Sequence, residues 1–199
     1  MLMATIHSAV RAYSLDRVPV LQEPATVGAA AGSDLVLASN LPAAEVSPGA
    51  LLAMLNHQLY ESTPAEKYAT LFLGIYDAAA HKLTYSNGGH LPPIVMSENG
   101  TVRRLEAGGT VVGLFDRQTY DEGSIQLHAG DIFVAFSDGV TEPENDFGEF
   151  GEQRLVDLIR ENRTLPLPRI SEIVTAAVDD WIGANEQPDD ITLVLARAR

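Results

Sequence analysis

The sequence predicts an α+β layered sandwich built on antiparallel sheet, and the order of its periodicities carries that expectation. Apolar residues at helical spacing come first, short runs separated by turn residues fill the middle, and helical spacing returns before one last apolar strand. Strands grouped between helices, not alternating with them, separate this order from a parallel βαβ sheet. With 199 residues, 46% hydrophobic and 20% charged, the chain suits one globular domain that buries its own core.

Leu2, Met3, Ile6, Ala9, Val10 and Tyr13 recur at helical spacing, so a helix is expected over 1–13; no capping residue precedes it, and it reads as a helix already under way. Residues 14–46 turn to Ala, Pro, Gly and Val without a period and read as a loose connection, with a short element near 35–38. Ser47 before Pro48 matches an N-cap and a first helical position, and Leu51, Leu52, Leu55 and Leu59 line one face of a helix over 47–61. From residue 68 the period changes. Strands are expected over 69–76, 82–86, 93–96, 101–105, 124–127 and 131–136, with Glu98-Asn99-Gly100 and Ala129-Gly130-Asp131 supplying hairpin chemistry through glycine. Leu155, Leu158 and Ile159, then Ile170, Ile173, Val174, Ala177, Val178 and Trp181, give two more helices, and 191–196 is the closing strand. There is no internal repeat.

Composition removes several function classes. A formal net charge of −14 repels nucleic acid and anionic lipid, so neither is an expected partner. Basic partners or hard cations suit such a surface better. The absence of cysteine rules out disulfides, thiolate metal sites and a cysteine nucleophile. Residues 1–13 carry Thr5, His7, Ser8 and Arg11 within the apolar run, unlike a secretory signal, and no stretch reaches membrane-spanning length. A cytoplasmic location without membrane attachment is the default expectation.

Chemistry has two candidate seats. Ser137-Asp138-Gly139 follows directly on the apolar strand 132–136, and Asp189-Asp190 directly precedes the closing strand. Carboxylates at two strand ends could supply oxygen ligands to Mg²⁺ or Mn²⁺, ions that acidify water and hold phosphoryl groups. On spacing alone the turn reading outweighs the ligand reading, because Asp and Gly are common in turns.

A family resemblance shifts that balance. Tyr68-Ala69-Thr70-Leu71-Phe72, Asn87-Gly88-Gly89-His90 with Pro92-Pro93, Gly113-Leu114-Phe115, Gly130-Asp131, Phe136-Ser137-Asp138-Gly139-Val140-Thr141-Glu142, Phe150-Gly151 with Arg154-Leu155, and Asp189-Asp190-Ile191-Thr192 stand in family order. From about Tyr68 onward the chain resembles the serine phosphatase domain of SpoIIE and the sigma-factor-regulating phosphatases, within the PPM (protein phosphatase 2C-like) superfamily. The two N-terminal helices resemble the pair that precedes the strand meander there. The resemblance implies a four-layer α/β/β/α sandwich with a two-metal Mn²⁺ or Mg²⁺ site at one edge of the antiparallel sheets. It implies Asp138 and Asp189 as metal ligands, with Asp190 a weaker candidate, and Gly139 and Thr192 as the supporting turn. It implies that metal-activated water, not a side chain, attacks phosphoserine or phosphothreonine on a regulatory protein such as an anti-anti-sigma factor.

The family also carries two acidic motifs upstream of its first helix, a Gly-Gly-Asp segment and an Asp-Val-x-Gly-His/Lys-Gly turn, and 1–199 contains neither. The expectation is therefore a single partial phosphatase domain, lacking N-terminal strands and with an incomplete metal site. An unpaired sheet edge would invite association, as in a homodimer. The alternative to an enzyme is a catalytically incomplete phosphatase-like domain acting as a protein-binding regulatory module.

The remaining candidates read as structure. His90 sits in a Gly-rich turn with prolines on its far side, and the resemblance gives that block no metal role. The acidic run Glu142, Glu144, Asp146, Glu149 and Glu152 does not fit a calcium-loop register and reads as solvated surface. Trp181 completes a helical stripe and reads as core. Ser137 approaches a Gly-x-Ser-x-Gly nucleophile elbow, yet all five histidines precede it, against the order such hydrolases use. No phosphate-binding Gly-x4-Gly-Lys-Ser/Thr loop occurs.

Overall fold

The computed structural model describes residues 47–64, 67–183 and 189–199, and among these Ser47 caps the first helix. The helix expected over 1–13 and the connection over 14–46 lie outside the described residues. Helix α1, Pro48–Ser62, begins where the sequence predicts: the Ser47 hydroxyl accepts the Ala50 amide at 3.0 Å and Pro48 occupies the first turn. Glu122 reinforces this end. Its carboxylate accepts the Gly49 amide at 2.9 Å and the Ser47 hydroxyl, placing negative charge at the positive pole of the helix.

The expected meander then forms two sheets. In the first, β1 (Leu71–Asp77) pairs antiparallel with β2 (Lys82–Gly88). The other side of β2 is shared by β6 (Gly123–Gln126) and, at its end, by the two-residue β5 (Gly108–Gly109). In the second sheet, β10 (Leu193–Arg197), β7 (Ile132–Phe136), β3 (Ile94–Met96) and β4 (Val102–Arg104) lie in that order, antiparallel throughout. Glu98-Asn99-Gly100 closes the β3–β4 hairpin as expected, with Gly100 at φ +85°. The second glycine turn does something else. Gly130 has φ +91°, but it links β6 to β7, which belong to different sheets, so it carries the chain across the sandwich.

Side-chain alternation along β7 explains the layering. Ile132, Val134 and Phe136 pack against Leu155 and Ile159 of α3 (Gly151–Asn162) and against Ile170, Val174 and Val178 of α4 (Leu167–Ile182). Phe133 and Ala135 belong instead to the layer between the sheets, with Phe72, Leu83 and Tyr85. Phe72 stacks on Tyr85 at 5.5 Å between ring centroids and meets Phe133 at 6.1 Å. On the outer face of the first sheet, Leu52 of α1 packs with Val112, Tyr120, Leu71 and Leu73. The described residues thus form the α/β/β/α sandwich that the resemblance implies. A strand buried on both faces reads as the unbroken apolar run 132–136, and truncating one of its large side chains would cost roughly 2–5 kcal/mol.

Three short pieces escape periodicity because each is too brief to show one: β5, a four-residue helix α2 (Asp138–Thr141), and a hairpin of β8 (Glu144–Asn145) with β9 (Gly148–Glu149). The hairpin holds the middle of the acidic run at the surface, where Glu144, Asp146 and Glu149 are exposed. Trp181 anchors it from α4. Its indole N–H donates to the Gly148 carbonyl at 3.2 Å, and its own carbonyl accepts the Asn145 side-chain amide at 2.9 Å. Phe150 meets the indole edge-on at 6.2 Å and the Arg154 guanidinium lies 4.1 Å from its centroid. Among the described residues no helix is long and apolar enough to cross a membrane.

Candidate functional site

Strand register decides which loops meet. Phe136, the last residue of β7, pairs with Leu193, the first of β10, so the segments beyond them adjoin at one edge of the sandwich. Ser137 extends that pairing: its amide donates to the Thr192 carbonyl at 3.0 Å. Its hydroxyl does more, accepting the Thr192 amide at 2.9 Å and donating to the Asp190 carbonyl at 3.0 Å. One residue further, Gly139 packs directly on the facing backbone. A β-carbon there would overlap the Asp190 carbonyl oxygen and come within 2.8 Å of its carbonyl carbon and 3.1 Å of the Asp189 oxygen.

The carboxylates stand on either side of this seam. Asp138 begins α2, and its side chain accepts the Gly139 amide at 2.9 Å while its carbonyl accepts the Glu142 amide at 2.7 Å. Asp189 accepts the Asp190 amide at 2.7 Å through its side chain. Asp138 and Asp189 are partly exposed and Asp190 is exposed, so the corner is open to solvent. Its donors are oxygens, the type that hard divalent cations take. Among the described residues no three or more His, Cys, Asp or Glu side chains converge as a metal-holding group.

A third segment reaches the same corner. Ile94 pairs with Val134, so β3 begins where β7 ends, and the 89–93 connection from the first sheet crosses at this edge. The buried Asn87 shapes its turn from both sides, accepting the His90 amide at 2.8 Å and donating to the His90 carbonyl at 2.9 Å. Gly89, at φ +74°, supplies the left-handed step. The half-buried His90 ring lies within electrostatic reach of Asp138: burial pushes its pKa below the usual histidine range, and the Asp138 carboxylate pulls it back up.

The structure therefore gathers Asp138, Gly139, Asp189, Asp190 and Thr192 in one corner and adds His90. The turn role expected of His90 is visible in its Asn87 clamp; its nearness to Asp138 crosses from one sheet to the other and left no trace in the sequence. By sequence, Ser137 reads as a near match to a nucleophile elbow. Its hydroxyl is instead engaged by the facing segment, a role signalled only by its place one residue past a paired strand end.

Comparison with known proteins gives a consistent picture. The family model of stage II sporulation protein E (SpoIIE) matches residues 1–199. The chain is 30% identical over 163 residues to the phosphoserine phosphatase RsbU of Bacillus subtilis, covering 80% of this chain and 48% of that protein. It spans smaller shares, 33% and 20%, of two other curated relatives. Among solved structures, the SiaA-PP2C domain of Pseudomonas aeruginosa superposes with a TM-score of 0.68 at 22% identity, covering 77% of this chain and 61% of that one. The Mn-presoaked phosphatase domain of SpoIIE from Bacillus subtilis gives 0.57 at 21% identity, covering 77% and 66%. At these identities the superpositions establish the fold.

Proposed function

This chain belongs to the stage II sporulation protein E (SpoIIE) family, and from that premise we propose that it is a metal-dependent protein serine/threonine phosphatase acting on a phosphorylated regulatory protein. An anti-anti-sigma factor is the substrate class this reading names, in bacterial signalling. The observation that carries it is the seam at the sheet edge, where Asp138 and Asp189 flank touching backbone segments.

Two partly exposed carboxylates on adjoining segments suit Mg²⁺ or Mn²⁺, which accept one or two carboxylates and complete their shell with water and phosphate oxygens. Asp138 and Asp189 would hold the cation, with Asp190 beside them. When bound, the cation supplies an acidified water and the positive charge that offsets a phosphoryl group. The chain's own residues do the rest. Ser137 and Gly139 hold the two carboxylate segments together, and the His90 turn borders the corner where a phosphoserine side chain would enter. The reaction takes up water and yields serine and inorganic phosphate.

Phosphate release from a phosphoserine peptide, titrated with MnCl₂, tests this reading in the 199-residue chain and in a form that also carries the upstream acidic motifs, each beside Asp138→Asn and Asp189→Asn. Manganese-dependent turnover that falls by roughly a hundredfold or more in either variant is the expected result. Turnover indifferent to both metal and Asp138 would overturn it. The absence of a three-residue metal group among the described residues favours a second reading, a protein-binding regulatory module. A folded chain that binds a phosphorylated partner without metal binding or turnover would establish that second reading.

A further inference from the structure

We infer that Ser137 is a positioning residue: its hydroxyl clasps the Asp189–Thr192 segment and thereby sets the spacing of the Asp138 and Asp189 carboxylates for a divalent cation. The inference rests on the metal-binding reading above and assigns a role to a side chain that the reading does not need as a ligand.

Three observations carry it. The hydroxyl makes two bonds to the facing segment, one as acceptor from the Thr192 amide at 2.9 Å and one as donor to the Asp190 carbonyl at 3.0 Å. The bonded atoms flank the carboxylates closely, since Ser137 precedes Asp138 and Asp190 follows Asp189. The strand ladder stops short of this region: β7 ends at Phe136 and β10 begins at Leu193, so beyond them Ser137 supplies the cross-links to Asp190 and Thr192. A hydroxyl that donates and accepts at once fixes the facing backbone in both sense and distance, which a lone donor would not. Atoms that orient metal ligands from outside the ligand set typically change metal affinity ten- to a hundredfold when removed.

The test compares Ser137→Thr with Ser137→Val, two side chains of the same shape of which only threonine keeps a hydroxyl. Ser137→Ala joins them, and Ser86→Ala serves as a control, because buried Ser86 makes its bond to the Asp121 carbonyl elsewhere. Mn²⁺ affinity is read by water-proton relaxation on the folded chain, and amide exchange is followed at Asp190 and Thr192. The expected result is near-native Mn²⁺ affinity for threonine, affinity weaker by roughly tenfold for valine and alanine, and faster exchange of the Thr192 amide in those two. Ser86→Ala is expected to lower the melting temperature without moving Mn²⁺ affinity. Equal affinities for threonine and valine, with Asp138→Asn still abolishing binding, would sink the clasp and leave the metal reading standing. Mn²⁺ binding that is absent from the native chain or unchanged by Asp138→Asn would remove the metal reading and the clasp with it.

Discussion

Gly139 rests against the backbone of Asp190 so closely that no side chain can be added without moving one of them. The position is helical and not left-handed, so the demand for glycine there is one of space, not of backbone angle. Gly139→Ala is expected to push the Asp189–Asp190 segment away. Stability should fall by about 1–3 kcal/mol, as for other overpacked sites. On the metal-binding reading proposed above, Mn²⁺ affinity should fall by roughly tenfold or more, because the segments that carry Asp138 and Asp189 are pushed apart. Chemical denaturation and a Mn²⁺ titration of the same sample measure both. Native affinity in a folded Gly139→Ala chain would show that the seam does not set the spacing.

Asn56 is fully buried on α1 and holds the loop that follows residue 110. Its side chain donates to the Phe115 carbonyl at 2.8 Å and accepts the Gly113 amide at 2.8 Å and the Tyr120 hydroxyl at 3.2 Å. Asn56→Ala takes the partner from the buried Gly113 amide and releases the Phe115 carbonyl, while the Tyr120 hydroxyl keeps the Val111 carbonyl at 3.4 Å, and the expected cost is roughly 1–3 kcal/mol in urea unfolding followed by circular dichroism. A loss below half a kilocalorie would mean that water or a local shift replaces the amide.

His90 gives the metal-free chain a defined response to pH. Its folded pKa lies below the ordinary 6.5, so between the two values the unfolded chain binds more protons than the folded one. This contribution to stability is complete above the unfolded value and is lost as pH falls through that value toward the folded one. Asp138→Asn removes the charge that raises the His90 pKa, so the imidazole should titrate at still lower pH. A proton NMR titration of the His90 ring in both forms checks this; an unchanged pKa would separate the two side chains electrostatically.

Much of this architecture was legible because it rests on period and capping. The Ser47-Pro48 start, the apolar run 132–136 and the stripe of Ile170, Val174 and Val178 each express one burial pattern in consecutive residues. The carboxylates were legible as positions at strand ends, and family resemblance supplied their grouping. What stayed hidden depends on pairs distant in sequence. Ser137 meets Asp190 across 53 residues, and Asn56 meets Gly113 across 57. The 128–131 turn has the same local chemistry as the 98–100 hairpin turn, and only the sheet each strand joins tells them apart.

Asp116 supplies a surface test of the α1 docking. His57 on α1 lies 3.1 Å from its carboxylate, and this hydrogen bond is the main cause holding the Asp116 pKa below the usual carboxylate range. A depressed carboxylate contributes stability above its unfolded pKa and loses it as pH falls through the folded value. The contribution of this exposed pair should therefore vanish in the acid range and weaken with added salt. Carbon-13 titration of the Asp116 carboxyl is expected to show its pKa rising in His57→Ala.

Trp181 is the chain's only tryptophan, and its indole is wedged between α4 and the hairpin that follows α2. The protein thus carries its own optical probe of the 144–149 hairpin. Any event that lifts the 144–149 hairpin would break the indole's bond to Gly148, move Arg154 off the ring and change the emission wavelength and quantum yield. Movement of this hairpin, whatever drives it, can accordingly be timed by stopped-flow fluorescence on the unmodified chain, without a dye and without a substitution.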